Sequence, residues 1–175
     1  MAKEYLPLKL DPFRFADNGT RVNGSLPIKN MSRLCPSLAS DEGNADIDVH
    51  FGVDEQGTRF LRGHMQAQVV LQCQRCMESF TYEIKNDLIL GMVHTEEKVD
   101  ELPESYDPLV IKGNELLIQD VIEDELIVSL PLVSMHEEND CKVVLPLIAE
   151  SNGISLEKEN PFKVIELLRK NPDKK

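Results

Sequence analysis

Four residues with metal-binding side chains, Cys73, Cys76, His136 and Cys141, stand in two closely spaced pairs. A two-residue spacer lets both thiolates of a Cys-x-x-Cys turn reach one ion, and the four-residue spacer of the second pair is also usual for zinc. Thiolate and imidazole are the donors that Zn²⁺ prefers. Because 59 residues separate Cys76 from His136, the elements between them must bring the two halves together.

Two other interpretations of the Cys-x-x-Cys pair remain open. Cys73 and Cys76 can be small buried residues at a tight turn. They can also be a redox pair or part of a zinc- or thiol-dependent enzyme. However, thioredoxin-type pairs occupy a helix N-terminus, whereas this pair follows a run typical of a strand.

No further enzyme signature accompanies these residues. The sequence has no Gly-x-Ser-x-Gly elbow, no phosphate-binding loop and no dinucleotide glycine pattern. Cys35, before Pro36, is core or incidental, and His50 and His64 are expected at surface or half-buried strand positions. We therefore expect a protein that is not an enzyme.

The elements around the two pairs predict an α+β fold. Alternating apolar residues predict strands, three of which form an antiparallel meander. The Cys-x-x-Cys turn joins the second and third strands of this meander. Strands this long twist strongly, and a barrel-like closure is an alternative. The predicted strands are Arg21–Ile28, Ala45–Val53, Thr58–Gln72, Phe80–His94 and Pro108–Lys112.

One main helix is predicted over residues 117–130, ended by Pro131. Its polar side carries Gln119, Asp120, Glu123 and Asp124, and its apolar side carries Ile118, Val121, Ile122, Leu126 and Val128. Glu125 falls inside the apolar arc, where it is expected at the rim. It can alternatively bond a buried arginine or a backbone N–H.

The length of 175 residues fits one domain with loose ends. We predict an extended basic arm over residues 1–20, a domain over 21–160, and a C-terminal helix with a basic tail over 161–175. No uninterrupted apolar run is long enough for a membrane span, and no export signal is visible. With four cysteines, these features predict a reducing cytoplasm.

The net charge of −12 is unevenly distributed. Residues 1–35 carry +3, residues 157–175 carry +2, and the middle, 36–156, carries −17. The acidic middle repels phosphate backbones and suits a basic protein partner, so contact with RNA would use the basic ends or a local patch. The candidate residues for RNA or partner contact are Lys3, Lys9, Arg14, Arg21, Lys29, Arg33 and Arg75.

Several segments resemble the YceD family, the large ribosomal RNA subunit accumulation proteins. Roughly residues 20–160 carry the resemblance. The matching residues are Cys73-Gln74-Arg75-Cys76 with Glu78 and Phe80, then Glu123-Asp124-Glu125-Leu126-Ile127, Leu130-Pro131-Leu132-Val133 and 136–141. Other branches of that family look richer in cysteine after the Leu-Pro motif, which favours a metal origin for the site.

The resemblance implies a cytoplasmic, non-enzymatic factor in the synthesis, processing or stability of large-subunit (23S) ribosomal RNA. The family's gene neighbourhood, beside a large-subunit ribosomal protein, indicates a role in assembly. The implied partners are a large-subunit RNA precursor, a basic large-subunit ribosomal protein, or both. An acidic adaptor that binds such a protein without touching RNA is the alternative, and no small-molecule substrate is evident.

Overall fold

The computed structural model describes residues 9–137 and 140–142. The chain divides into two compact units, Met1–Lys142 and Val143–Lys175, and every described residue belongs to the first. The strands of this unit are β1 Lys9–Leu10, β2 Arg21–Pro27, β3 Asn44–Val53, β4 Arg59–Gln72, β5 Ser79–Val93, β6 Asp107–Val110 and β7 Leu116–Leu117. The α-helices are α1 Pro12–Asp17 and α2 Ile118–Val128, and 3₁₀ turns span Ile28–Asn30, Cys35–Ser37 and Glu96–Glu101.

Five strands form one open sheet in the order β2-β3-β4-β5-β6. The first four run antiparallel in chain order, which confirms the predicted α+β fold and its meander. The short β6 pairs parallel with β5, and β1 and β7 form a separate two-stranded sheet. The barrel-like alternative is wrong, because β2 and β6 are the two edges of the sheet and do not pair with each other.

Along the long strands, side chains alternate between buried and exposed, as expected for a sheet with one covered face. In β3, the side chains of Ala45, Ile47, Val49 and Phe51 are buried, and the residues between them point mostly to solvent. Strands β4 and β5 pair from Phe60↔Gly91 to Gln72↔Ser79. This long ribbon carries the Cys-x-x-Cys turn to its far tip.

Helix α2 covers the apolar face of the sheet with Ile118, Ile122 and Leu126, none of which is exposed. The predicted helix is confirmed, but two of its side chains lie on the opposite side from the prediction. Glu123, placed on the polar side, is only 3% exposed, and Val128, placed on the apolar side, is 82% exposed. The segment around Arg33 packs against the helix and supplies partners for Glu123, which periodicity alone does not reveal.

The extended conformation predicted for the N-terminal arm is wrong for residues 12–17, which form helix α1. Asp11 caps this helix by accepting a hydrogen bond from the backbone N–H of Arg14, at 3.1 Å, and Pro12 opens it. An Asp-Pro pair at a helix start is a recognised N-terminal signal. Phe15 packs edge-on against Phe51 of the core, with ring centroids 5.6 Å apart.

The predicted C-terminal helix and tail, residues 161–175, lie outside the described residues. The domain limits at 20 and 160 therefore stay predictions. No helix in the described part of the chain is both long enough and apolar enough to span a membrane.

Candidate metal centre

The turn between β4 and β5 is a tight knuckle closed by its own backbone. The N–H of Cys73 donates to the carbonyl of Glu78, and the N–H of Met77 donates to the carbonyl of Cys73, both at 2.8 Å. Met77 has a φ of 64°, in the left-handed region. This conformation folds the chain back, and the N–H of Arg75 comes within 3.4 Å of Cys73 Sγ. The knuckle thus directs backbone donors at a sulfur.

The segment that follows α2 returns to this knuckle. The N–H of Gln74 donates to the carbonyl of Ser134 at 2.8 Å. Two residues later, Nδ1 of His136 lies 3.3 Å from Cys76 Sγ, and its ring packs on Phe80 with centroids 4.8 Å apart. These contacts confirm the prediction that the tip of the hairpin and the segment beyond the helix meet in space.

The donor atoms of Cys73, Cys76, His136 and Cys141 all lie within 4.8 Å of one another. Tetrahedral zinc at about 2.0–2.3 Å from each donor places neighbouring donors roughly 3.5–3.8 Å apart, so small side-chain movements suffice. Cys73 and Cys141 are buried, whereas Cys76 and His136 are half-buried. Three thiols and one imidazole are a donor set that fits structural zinc.

The environment of the knuckle distinguishes its two thiols. Burial raises the pKa of Cys73, but backbone N–H groups of Cys76, His136 and Arg75 outweigh it and lower that pKa to about 5. For Cys76, the N–H of Glu78 lowers the pKa, whereas burial and the neighbouring thiols of Cys73 and Cys141 raise it overall. Cys73 therefore forms a thiolate, the metal-binding state, more readily than Cys76 does.

Arg75 lies inside this cluster rather than pointing outward. Its Nε lies 3.0 Å from Cys141 Sγ, and its Nη2 donates to the carbonyl of His136 at 3.2 Å. Three thiolates around Zn²⁺ would carry a net charge of −1, and the guanidinium offsets it. The predicted RNA or partner contact at Arg75 stays untested, but its side chain has these internal partners.

Three of the other six cations predicted to contact RNA or a partner are also paired within the protein. Lys9 pairs with Glu115 at 3.1 Å. Arg21 makes a two-pronged contact with Asp48, at 2.7 and 2.5 Å. Arg33 is held by α2, as described below.

The remaining predicted contact residues differ. Arg14 and Lys29 are exposed and have no ion pair within the described part of the chain. Lys3 lies outside the described residues. Contact of these cations with RNA or a partner stays a prediction.

A buried carboxylate that the sequence analysis missed anchors the segment before β3 to α2. One oxygen of Glu123 accepts from the backbone N–H groups of Arg33 and Leu34, at 2.6 and 3.1 Å. The other oxygen accepts from the Arg33 guanidinium at 3.1–3.2 Å, and Asp124 pairs with the same guanidinium. Because it accepts both main-chain and side-chain donors, Glu123 is fully satisfied although buried.

The fold and the site together define an α+β protein whose long β-ribbon ends in a Cys₃His cluster. A sequence model of a family described as "Large ribosomal RNA subunit accumulation protein YceD" matches residues 61–169, which include all four cluster residues. A curated relative of the same description from Haemophilus influenzae is 31% identical over 175 residues, covering 97% of this chain and 99% of its own length. No solved structure matches the chain. The chain belongs to the YceD family, whose name denotes accumulation of large-subunit ribosomal RNA.

Proposed function

We propose that this protein is a non-enzymatic cytoplasmic factor for the synthesis, processing or stability of 23S ribosomal RNA. The full-length similarity to a protein named for large ribosomal RNA subunit accumulation carries this proposal. In this proposal the Cys₃His cluster has a structural role and not a catalytic one. Its donors are held by backbone contacts at the junction of two chain segments, where zinc would join them.

The test of this function is the balance of ribosomal RNA in cells. Deleting the gene should lower the ratio of 23S to 16S RNA, and restoring the full-length chain should recover it. The 16S RNA serves as the internal control, because a general growth defect lowers both species together. An unchanged ratio after deletion would contradict the proposal.

A second candidate, an acidic adaptor that binds a basic protein without touching RNA, is favoured by the charges of the described residues. These residues include 12 Lys and Arg against 24 Asp and Glu. Seven of the twelve cations form ion pairs within the protein, namely Lys9, Arg21, Arg33, Arg59, Lys85, Lys98 and Lys142. The excess of carboxylates disfavours phosphate and favours a cationic partner.

Crosslinking in cells distinguishes the two candidates. Direct action on RNA predicts crosslinked 23S precursor and, with purified protein, RNA binding that weakens steeply as salt rises. The adaptor predicts crosslinks to basic large-subunit proteins and no salt-sensitive RNA binding. The basic ends, including Lys3, belong in the full-length protein used for both measurements.

A further inference from the structure

Five of the eight large hydrophobic side chains that are exposed in the described residues lie either on the knuckle or on the segment that runs from the end of α2 back to it. We call this group the apolar strip. It consists of Met77 (63% exposed), Val128 (82%), Leu132 (101%), Val133 (51%) and Met135 (48%). Single exposed apolar residues are ordinary, but a group in one place indicates an interaction surface.

The backbone that presents the strip is fixed at both ends. At the helix end, the N–H of Ser129 donates to the carbonyl of Glu125 at 3.0 Å. At the other end, the carbonyl of Ser134 accepts from Gln74, and His136 contacts Cys76. Met77 is next to Cys76 in the chain, and Met135 is next to His136, so both methionines flank the contact between the knuckle and the returning segment. A surface whose backbone is already ordered loses little entropy when a partner binds.

The charges beside the strip are negative. Asp124 is exposed and lies one helical turn before Val128. Glu125, in the same turn, is half-buried, and its pKa is raised by burial and, to a lesser extent, by the charges of Asp107 and Asp124. Glu137 is exposed just past Met135.

Arg33 pairs with Asp124, so among the described residues the negative charge available to a partner is that of Glu125 and Glu137. Helix α2 has no basic residue in its last turn, so the partial negative charge of its C-terminus is uncompensated. Lys142 pairs with Glu78 at 2.5 Å, and Arg75 contacts Cys141. A partner for this surface therefore combines apolar side chains with positive charge, which disfavours RNA.

We propose that the apolar strip is the docking site for a basic amphipathic segment of a protein partner. Apolar side chains of that segment cover Leu132, Val133 and the methionines, and its Lys and Arg side chains meet Glu125 and Glu137. This inference rests on the proposed binding function and assigns it a surface and a partner class. The metal centre would then serve to hold the strip in place.

The direct test is binding of a model peptide to the full-length protein. The probe is a fluorescein-labelled Leu/Lys peptide of about 16 residues with Leu at helical spacing, followed by anisotropy. Its controls are a Leu/Glu peptide of the same pattern and a Leu/Lys peptide in scrambled order. We expect the patterned Leu/Lys peptide to bind most tightly and the Leu/Glu peptide not to bind.

The decisive variant is Leu132→Ser with Val133→Ser, because both side chains are exposed. It should weaken binding of the patterned peptide by at least about tenfold. The matched control, Val53→Ser with Ile89→Ser, removes two exposed apolar side chains elsewhere and should bind as the wild type does. Equal affinity of all three proteins, or no binding by the wild type, would overturn the proposal.

Two further measurements test whether a different molecule occupies the strip. Sedimentation that detects self-association, abolished by the Leu132/Val133 double variant, would identify a second copy as the occupant. Binding of a labelled single-stranded RNA, abolished by the same variant, would identify RNA. Either result overturns the proposal.

A cell assay separates failure of this inference from failure of the proposed function. If the wild-type chain restores the ratio of 23S to 16S RNA and the double variant does not, both stand. If both proteins restore it equally, the docking inference fails alone. If neither restores it although the peptide binds as expected, the proposed RNA function fails and the docking site stands.

Discussion

Sγ of Cys76 lies 3.3 Å from Nδ1 of His136, although 60 positions separate the two residues in the chain. The first belongs to the turn between β4 and β5, and the second lies beyond the end of helix α2. The Cys₃His cluster is therefore assembled by tertiary structure, unlike that of a compact zinc finger. An ion bound there would reinforce the junction of two segments that already contact each other through Gln74 and Ser134 and through Glu78 and Lys142.

We expect the purified full-length protein to hold about one zinc ion per chain, because three thiolates and an imidazole match the preference of zinc. Cys76→Ser should lose most of this metal. Cys35→Ser is the matched control, since its thiol donates to the carbonyl of Ile28 at 3.3 Å and is not part of the cluster. Elemental analysis after dialysis measures both. Full zinc content in Cys76→Ser would contradict the assignment.

Arg75→Gln should weaken zinc binding by about 10- to 100-fold, the usual cost of losing a group that supports a metal ligand. The reason is the loss of the guanidinium contact with Cys141 Sγ. Arg75→Lys should lie in between, because it keeps the charge without the planar fork. Competition with a chromophoric chelator measures the affinity. The control is Lys142→Gln, an exposed cation near the site, and an equal loss there would indicate a general effect of charge.

Glu123→Ala should lower the free energy of unfolding by about 3 kcal/mol, because it leaves the buried N–H groups of Arg33 and Leu34 without an acceptor. Glu123→Gln should cost less, since its amide oxygen can still accept. Asp124→Asn, at the exposed partner of the same arginine, should change stability by no more than about 1 kcal/mol. Urea unfolding of the three variants gives the comparison. Similar losses at positions 123 and 124 would show that burial of Glu123 is not the cause.

Glu125 predicts a pH-dependent change of stability. Burial raises the pKa of this carboxyl, with Asp107 and Asp124 adding to the effect. A raised pKa means that the folded state binds the proton more tightly than the unfolded state. The favourable contribution of the Glu125 carboxyl to the free energy of unfolding is complete below the unfolded pKa of about 4.3. This contribution is lost as the pH rises through the folded pKa.

Glu125→Gln should therefore raise the thermal midpoint at pH 7, and this gain should disappear at about pH 3, where the carboxyl is protonated in both states. Scanning calorimetry at several pH values measures the trend. Glu104→Gln removes one exposed carboxylate and serves as the control for net charge. A gain that is constant with pH, or equal in the control, would contradict the explanation.

Much of the fold followed from local patterns in the sequence. Alternating burial in β3 to β5 reflects a sheet with one covered face, and a period near 3.6 with Pro131 after it defined α2. The cluster was also predictable, because Cys73 and Cys76 must share a turn and His136 and Cys141 have the spacing of a ligand pair. The strands, the helix and each of the two ligand pairs depend on residues that are close in sequence, whereas the meeting of the two pairs does not.

What escaped prediction depends on contacts between distant residues. Glu123 and Glu125 are the same residue type two positions apart, and contacts with distant residues distinguish them. Glu123 is buried against Arg33 and Leu34, whereas Glu125 is half-buried beside Asn86. The parallel pairing of β6 with β5 likewise has no local signature. Helix α1 is a different case, since Asp11 and Pro12 are a visible start signal that the Lys- and Pro-rich composition around them obscured.

The ribbon formed by β4 and β5 extends past the part that the apolar core stabilises, since that core reaches Leu71 but includes neither Cys73 nor Cys141. The apolar core therefore stabilises the middle of the ribbon, whereas metal coordination would stabilise its tip. Chelation should leave amide protons of Leu61 and Leu90 slow to exchange with deuterium while those of the knuckle exchange quickly. Removal of the metal would thus unfold the knuckle locally and leave the rest of the sheet folded.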